Sequence, residues 1–385
     1  MRLNSSHSFQ QLLDLVPPVG QSPNWAALWG LWPELGVLDT CPQDPIHHGE
    51  GDVGTHTRLV VEALLTLPGW QILDPDRRAL LFWTAMLHDI GKPATTRHEA
   101  GRITSRGHSR VGAAIARHLL GRARVPFHWR EALCALIRSH QLPFWLLDRP
   151  DPPRLAIETS LTCRADLLCL HAQADALGRI CADQAAILDN TALSLAQFEE
   201  LGCADQPFDF ASDAARIEYL NREGRDPTYA PHEQFGSDVV LMSGLPGAGK
   251  DTWIVRNLPD LPMISLDEIR GEMGVPPSAN QGPVAQEGMA RARVFLHMGQ
   301  GFVWNATNVT RQQRARLLNL FHSYGARTRI VYIEPDWQEV FVQNRQRKEA
   351  VPETVIYALL RKLEPPDLRE AHQVTFVVPK TSETG

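Results

Sequence analysis

The chain has 385 residues, 43% of them hydrophobic and 21% charged, a balance that fills folded cores and excludes a disordered or fibrous protein. A net charge of −6 argues against a protein that coats nucleic acid with positive charge throughout, and the length exceeds one ordinary core, so two domains, or three small ones, are expected. No apolar run approaches the ~20 residues a membrane helix needs, and the start of the chain has no long apolar core, which points to a cytoplasmic protein without membrane contact. Six cysteines form no Cys-x-x-Cys pair, so reduced thiols are expected, with neither a zinc knuckle nor a disulfide framework.

From about Leu28 to Leu201 apolar residues recur at helical spacing, as in Leu59, Val60, Ala63, Leu64 and again in Leu80, Leu81, Ala85, Leu87, and this half reads as all-α. One of these helices runs into Leu87-His88-Asp89-Ile90-Gly91-Lys92. Adjacent His and Asp side chains can bind one metal ion when a helix tip points into a site. His56, His108, His140 and Asp175 stand on other predicted helices around it. For each His taken singly, a buried, hydrogen-bonded ring is the alternative. Asp166 competes with Asp175 for the last carboxylate. Between about Gly202 and Gly236 the chain becomes polar and punctuated by Gly224, Pro227 and Pro231, as a connector or a peripheral helix and loop would be.

Beyond it, short β-rich runs alternate with helical stretches: strands are expected at Val239–Gly244, Met263–Leu266, Gly301–Trp304, Thr328–Glu334 and Val374–Val378. Such alternation implies an α/β domain with a parallel sheet covered on both faces. The first strand enters Gly244-Leu245-Pro246-Gly247-Ala248-Gly249-Lys250-Asp251-Thr252, a glycine-rich turn ending in Lys. Such a turn points backbone N–H groups and a helix N-terminus at phosphate, while the Lys reaches the outer phosphates, so ATP or another nucleoside triphosphate with Mg²⁺ is the expected ligand. Asp251 stands where the motif usually places Ser or Thr for Mg²⁺, which leaves Thr252 or water for that task. In an open α/β sheet, functional residues gather at the carboxyl ends of strands. Asp267, just past the second strand, is suited to take a proton from a hydroxyl attacking the γ-phosphate, and Arg270 one turn later to hold an acceptor phosphate. The alternative makes Asp267 the N-cap of its helix and Arg270 its surface partner. After the third strand, Asn305-Ala306-Thr307-Asn308 precedes Arg311 and Arg314, a place suited to orienting substrate or metal-bound water, or to capping by Thr307 or Asn308. Arg345 and Arg347 lie just before Val351-Pro352-Glu353, a cationic segment able to fold over ATP as a lid or to remain a solvated turn.

The set Gly244-x-x-Gly247-x-Gly249-Lys250, Asp267-x-x-Arg270 and Arg345-x-Arg347 resembles the kinase domain of phage-type polynucleotide kinases over about Val239 to Pro379. That resemblance implies that Asp267 activates a 5′-OH of RNA or DNA, that Arg270 grips the acceptor's 3′ phosphate and that a lid arginine contacts ATP. The His and Asp suite resembles the HD phosphohydrolase superfamily. Through Pro42-Gln43-Asp44-Pro45, His48-Gly49-Glu50-Gly51-Asp52-Val53 and Thr55-His56-Thr57 it is closer to the HD domains of bacterial tRNA nucleotidyltransferases, over roughly Leu31 to Arg179. This implies a first metal on His56, His88, Asp89 and Asp175, and a second on His108 and His140. Mn²⁺, Ni²⁺, Co²⁺ and Zn²⁺ all suit such donors, as one ion or two. Asp175 is preferred to Asp166 because Ala174-Asp175-Ala176-Leu177-Gly178-Arg179 matches the family, with Arg179 and Lys92 meeting substrate phosphate.

The whole chain resembles the bacterial HD-Pnk end-healing enzymes. It implies an HD-type phosphohydrolase domain over 1–202, a connector over 203–236 and a P-loop polynucleotide kinase domain over 237–385. The implied partners are RNA ends, with DNA also open, in functional coupling to an RNA ligase. The kinase would phosphorylate a 5′-OH while the HD module clears a 2′,3′-cyclic phosphate, 3′-phosphate or 2′-phosphate. A small-molecule kinase fused to a nucleotidase is the alternative, since both folds host such activities.

Overall fold

A computed structural model of the protein describes residues 7–276, 279–347 and 350–379. The chain divides into two units, Met1–Asp209 and Phe210–Gly385.

The first unit is helical, built on Val53–Thr66, Pro75–Leu87, His108–Arg122, Phe127–Ser139, Ala165–Leu177 and Gln184–Glu200. Asp74 starts the second of these helices by accepting from the Arg77 N–H, Pro75 fills the first turn, and every residue from Ala79 to Leu87 is buried. A helix apolar on all sides belongs in the middle of a bundle, and each fully buried Leu, Phe or Trp there contributes about 1.5–3 kcal/mol. The chain places His88 and Asp89 at the inner end of this helix, so both are buried. Gly91 then lets the His108–Arg122 helix come close, since a Cβ at Gly91 would lie 2.2 Å from the His108 carbonyl oxygen. The all-α expectation needs one correction, an antiparallel hairpin of β1 (Arg97–Glu99) and β2 (Arg102–Thr104).

The second unit is the expected α/β domain. Its strands are β3 (Asp238–Ser243), β4 (Met263–Ser265), β5 (Phe302–Asn305), β6 (Arg327–Ile333) and β7 (Gln373–Val377), in the order β4-β5-β3-β6-β7. All four pairings are parallel. From β3 the chain goes first to β4 and β5 on one side and later to β6 and β7 on the other, which makes the carboxyl end of β3 a topological switch point. The unit boundary falls inside the segment 203–236. Cys203 is fully buried in the first unit's apolar packing, whereas the Asp213–Asn221 helix belongs to the second unit, with Arg216 donating to the carbonyls of Leu368, Ala371 and His372.

Candidate active sites

The first unit gathers His56, His88, Asp89, His108, His140 and Asp175 from five helical segments, all at most 6% exposed. Asp89 is the hub. Its Oδ2 lies 3.2 Å from His88 Nε2, 3.7 Å from His56 Nε2 and 2.7 Å from Lys92 Nζ, and its Oδ1 lies 3.3 Å from His108 Nε2 and 3.8 Å from His140 Nε2. His56 Nε2 also lies 3.2 Å from Asp175 Oδ1.

Three of the imidazoles are oriented by one device. His88, His108 and His140 each donate from Nδ1 to a carbonyl three residues earlier, Ala85, Ser105 and Ile137, all at 2.8 Å. That bond fixes the tautomer and leaves the Nε2 lone pair facing Asp89. His108 and His140 bring these atoms to 3.4 Å, closer than two neutral acceptors favour without something between them.

Donors of His56, His88 and Asp175 lie within 4.8 Å of one another, and so do those of Asp89, His108 and His140. Donors around one ion at about 2.0–2.2 Å stand about 3–4 Å apart, so both groups come near the dimensions of a metal sphere and would draw in around an ion. His88 Nε2 and Asp89 Oδ1 are buried without a hydrogen bond. Leaving such atoms unsatisfied costs about 1–3 kcal/mol each, and a divalent cation relieves it. Burial pushes His140 far below the ordinary imidazole range and His108 below it too, so both rings are neutral ligands at pH 7. Burial alone would raise the Asp89 and Asp175 carboxyls. Lys92 and His88 outweigh it at Asp89, and Arg179 and His56 at Asp175, which holds both carboxyls well below the usual range and ionised.

Asp166 stands apart from this cluster, with its carboxylate on the Arg164 guanidinium at 2.5 Å, whereas Asp175 takes both Arg179 Nε and Nη2 at 3.0 and 3.1 Å. Lys92 donates to Gln43 Oε1. Three residues without an assigned role in the sequence reading join the site. Glu50 accepts from His48 Nδ1 at 2.8 Å and lies 2.9 Å from His56 Nδ1, so a carboxylate faces the one candidate ligand ring that lacks a carbonyl partner. His171 packs edge-on to His88 at 5.3 Å, and burial lowers it to about 3, so it is a neutral wall of the cluster. The His48-x-Glu50 spacing was a signal for the first pair; one helical turn from His171 to Asp175 was a signal for the last.

A cleft of about 320 Å³ opens over the cluster, its walls including Lys92, His108, Arg106, Arg179, Ile103 and Trp145.

The second unit's site is the loop after β3. Gly244 has φ 152°, and a Cβ there would lie 2.5 Å from the Ile333 carbonyl oxygen, so the first turn admits glycine alone. The Lys250–Asn257 helix follows, and Lys250 Nζ donates to the carbonyls of Gly244 and Leu245 at 2.9 Å each. Ammonium and loop thus hold one another in the curve that cradles phosphate, which fits a nucleotide. Burial pulls Lys250 down to about 8. Asp251 is not idle: its Oδ1 accepts from Asn305 Nδ2 at 2.6 Å, tying the start of the helix to the end of β5, while Thr252 is exposed.

Asp267 is 64% exposed at the side chain and is flanked by two cations, Arg270 in a close ion pair and Arg347 at 3.6 Å. Several expectations are corrected here. Ser265, not Asp267, caps this helix by accepting from Glu268 N, and the Asp267–Arg270 pair is real in addition. Thr310, not Thr307 or Asn308, caps the helix Arg311–Ser323. Arg311 is spent on Asp367 and the fully buried Arg314 on Glu370, so both brace the fold. Arg345 pairs with Glu353 at 2.9 Å and does not join Arg347 at Asp267.

Comparison with known proteins matches a stretch of each unit. The model of the HD domain family matches residues 53–169, and the model of an AAA domain matches residues 239–366. The chain is 33% identical to a multifunctional CCA protein of Teredinibacter turnerae over 40% of this chain and 36% of that one. It is 36% identical to an A-adding tRNA nucleotidyltransferase of Deinococcus radiodurans over 28% of this chain and 26% of that one. The chain thus spans only about a quarter to a third of these relatives' lengths. A gluconokinase of known structure from Sinorhizobium meliloti overlaps 38% of this chain and 84% of its own at 17% identity, with a TM-score of 0.28, too loose a match to carry an argument. The protein joins a region that matches the HD domain to a P-loop region that matches an AAA domain. An HD domain works with a divalent metal, and a P-loop domain with a nucleotide and Mg²⁺.

Proposed function

We propose that the protein repairs broken nucleic-acid strands, phosphorylating a 5′-OH in one unit and removing a 2′,3′-cyclic phosphate, 3′-phosphate or 2′-phosphate in the other. The observation that supports this reading is the pairing in one chain of a lysine-tipped glycine loop with an aspartate between two arginines, and of a buried His/Asp cluster spaced as metal donors are. Cleavage of RNA through its 2′-OH leaves a 5′-OH and a cyclic phosphate, and a ligase that joins a 5′-phosphate to a 3′-OH can use neither. The relatives add support, since two of them are named for work on tRNA.

At the kinase site Asp267 accepts the proton of the 5′-OH as its oxygen bonds to the γ-phosphorus of ATP. The bond from that phosphorus to the β-phosphate oxygen breaks, and ADP leaves. Arg270 holds the acceptor's phosphate, and Arg347, with its charge fixed beside Asp267, meets negative charge developing on the transferred group. Lys250 turns from the loop carbonyls to the outer phosphates. At the HD site His56, His88, Asp89 and Asp175 would hold one ion and His108 and His140, through Asp89, a second, with Mn²⁺, Ni²⁺, Co²⁺ and Zn²⁺ as candidates. Such an ion polarises phosphate and lowers the pKa of water. Lys92 and Arg179 supply cationic charge at the cleft floor for the phosphate oxygens.

The test is an oligoribonucleotide with 5′-OH and 2′,3′-cyclic phosphate ends, incubated with the protein, labelled ATP and each metal in turn. Label transfer to the 5′ end and opening and loss of the 3′ phosphate are expected. Transfer to nucleosides or sugars with none to the oligonucleotide would instead support a small-molecule kinase joined to a nucleotidase.

A further inference from the structure

We infer that Trp145 is the platform on which the base of the strand's terminal nucleotide stacks when its phosphate occupies the HD site; this rests on the end-healing reading above. Trp145 lines the cleft over the metal cluster and is 43% exposed, an unusual state for the largest apolar side chain.

Its backbone is nevertheless firmly held. His140 ends one helix, and after Gln141 the chain makes the short turn Leu142–Trp145, so the platform is five residues from a candidate metal donor. Phe144 turns inward, 1% exposed, with the Arg179 guanidinium 4.6 Å from its ring, and Arg179 is the residue that grips Asp175. Asn190 donates to the Phe144 carbonyl at 3.1 Å and Ser194 to the Pro143 carbonyl at 2.8 Å. An aromatic ring held outward on a braced turn loses little freedom when a planar ligand covers it.

The cleft's chemistry is divided in a way that matches a nucleotide. Lys92, Arg106 and Arg179 offer charge for phosphate, whereas Trp145, Ile103 and Ile187 offer flat and aliphatic surface. Arg106 makes no hydrogen bond or ion pair among the described residues. At about 320 Å³ the cleft is at the small end of ligand sites, with room for about one nucleotide and not for a paired helix. Stacking tolerates any base, so the site would demand a nucleotide end without demanding a sequence.

The experiment compares kcat/KM for phosphate release from two single-stranded RNAs ending in 3′-phosphate, identical except that one lacks its terminal base. The wild-type protein is expected to favour the complete end by about tenfold or more, the worth of one stacked base. Trp145→Ala should abolish this preference mainly through KM, and Trp145→Phe should restore most of it, with circular dichroism melts confirming that both variants fold. A preference that survives in Trp145→Ala, or that Trp145→Phe fails to restore, overturns the platform. Wild-type activity on both ends without a preference overturns the platform and leaves end healing standing. No phosphate release by the wild type from either end, nor from the same RNA ending in a 2′,3′-cyclic phosphate or a 2′-phosphate, overturns the end-healing reading itself.

Discussion

At the scale of single residues the HD site is a matter of which atoms are left facing inward. Asp175 was legible because Ala-Asp-Ala-Leu-Gly-Arg fixes a carboxylate one turn before an arginine, and the structure makes that pair a buried fork. Glu50 was not legible as a partner of His56, because a loop carboxylate has no periodicity to betray where it points. Metal analysis separates the two aspartates: Asp175→Asn should lower metal bound after dialysis by more than tenfold, whereas Asp166→Asn should bind as the wild type does. Equal loss from both variants would contradict the cluster. Lys250 yields a second prediction through its proton. Burial sets its pKa near 8 in the ligand-free protein, below the ordinary 10.5, so at pH 9 it is mostly neutral. Polyphosphate beside it favours the charged form, so ATP binding at pH 9 must take up a proton at this residue, and at pH 7 it need not. Calorimetry in buffers of different ionisation enthalpy reads the uptake, and its disappearance in Lys250→Met assigns it. Binding at pH 9 without proton uptake would place Lys250 elsewhere than at the phosphates.

At the scale of elements, the two strong signals were the buried helix that ends in His88-Asp89 and the apolar strand that enters the glycine loop; both follow from long apolar runs with clear stops. Weak elements went unread for physical reasons. The hairpin of β1 and β2 is short, with β1 exposed throughout and β2 only partly buried, and its turn is Ala100-Gly101, with φ of 51° and 75°, where Asn-Gly would have announced itself. The helix caps are Ser265 and Thr310, two or three residues from the alternative caps Asp267, Thr307 and Asn308, since several capping residues stand close together there. Close packing of elements gives the third prediction. Gly91→Ala would put a methyl group 2.2 Å from the His108 carbonyl oxygen and 2.5 Å from Gly112 N, forcing the His108–Arg122 helix away from Asp89. A loss of about 1–3 kcal/mol in stability is expected. Metal titration should show at least tenfold weaker binding as well, and a variant with wild-type melting and metal affinity would contradict the packing.

At the scale of the whole molecule, the sequence announced an all-α half and an α/β half, and the structure has both. Where one ends was less legible. The segment 203–236 reads as one polar connector, yet Phe208 N donates to Ser160 Oγ in the first unit while the short Asp213–Asn221 helix serves the second. Nine residues carry too little periodicity to show which core they join. Two units with separate sites imply two activities that can be lost separately, which is the central claim. It is tested most directly by assaying Lys250→Ala and Asp89→Ala on one oligoribonucleotide carrying 5′-OH and 2′,3′-cyclic phosphate ends. Lys250→Ala is expected to abolish 5′ phosphorylation and still clear the 3′ end, and Asp89→Ala to do the reverse. Loss of both activities in either folded variant would contradict it.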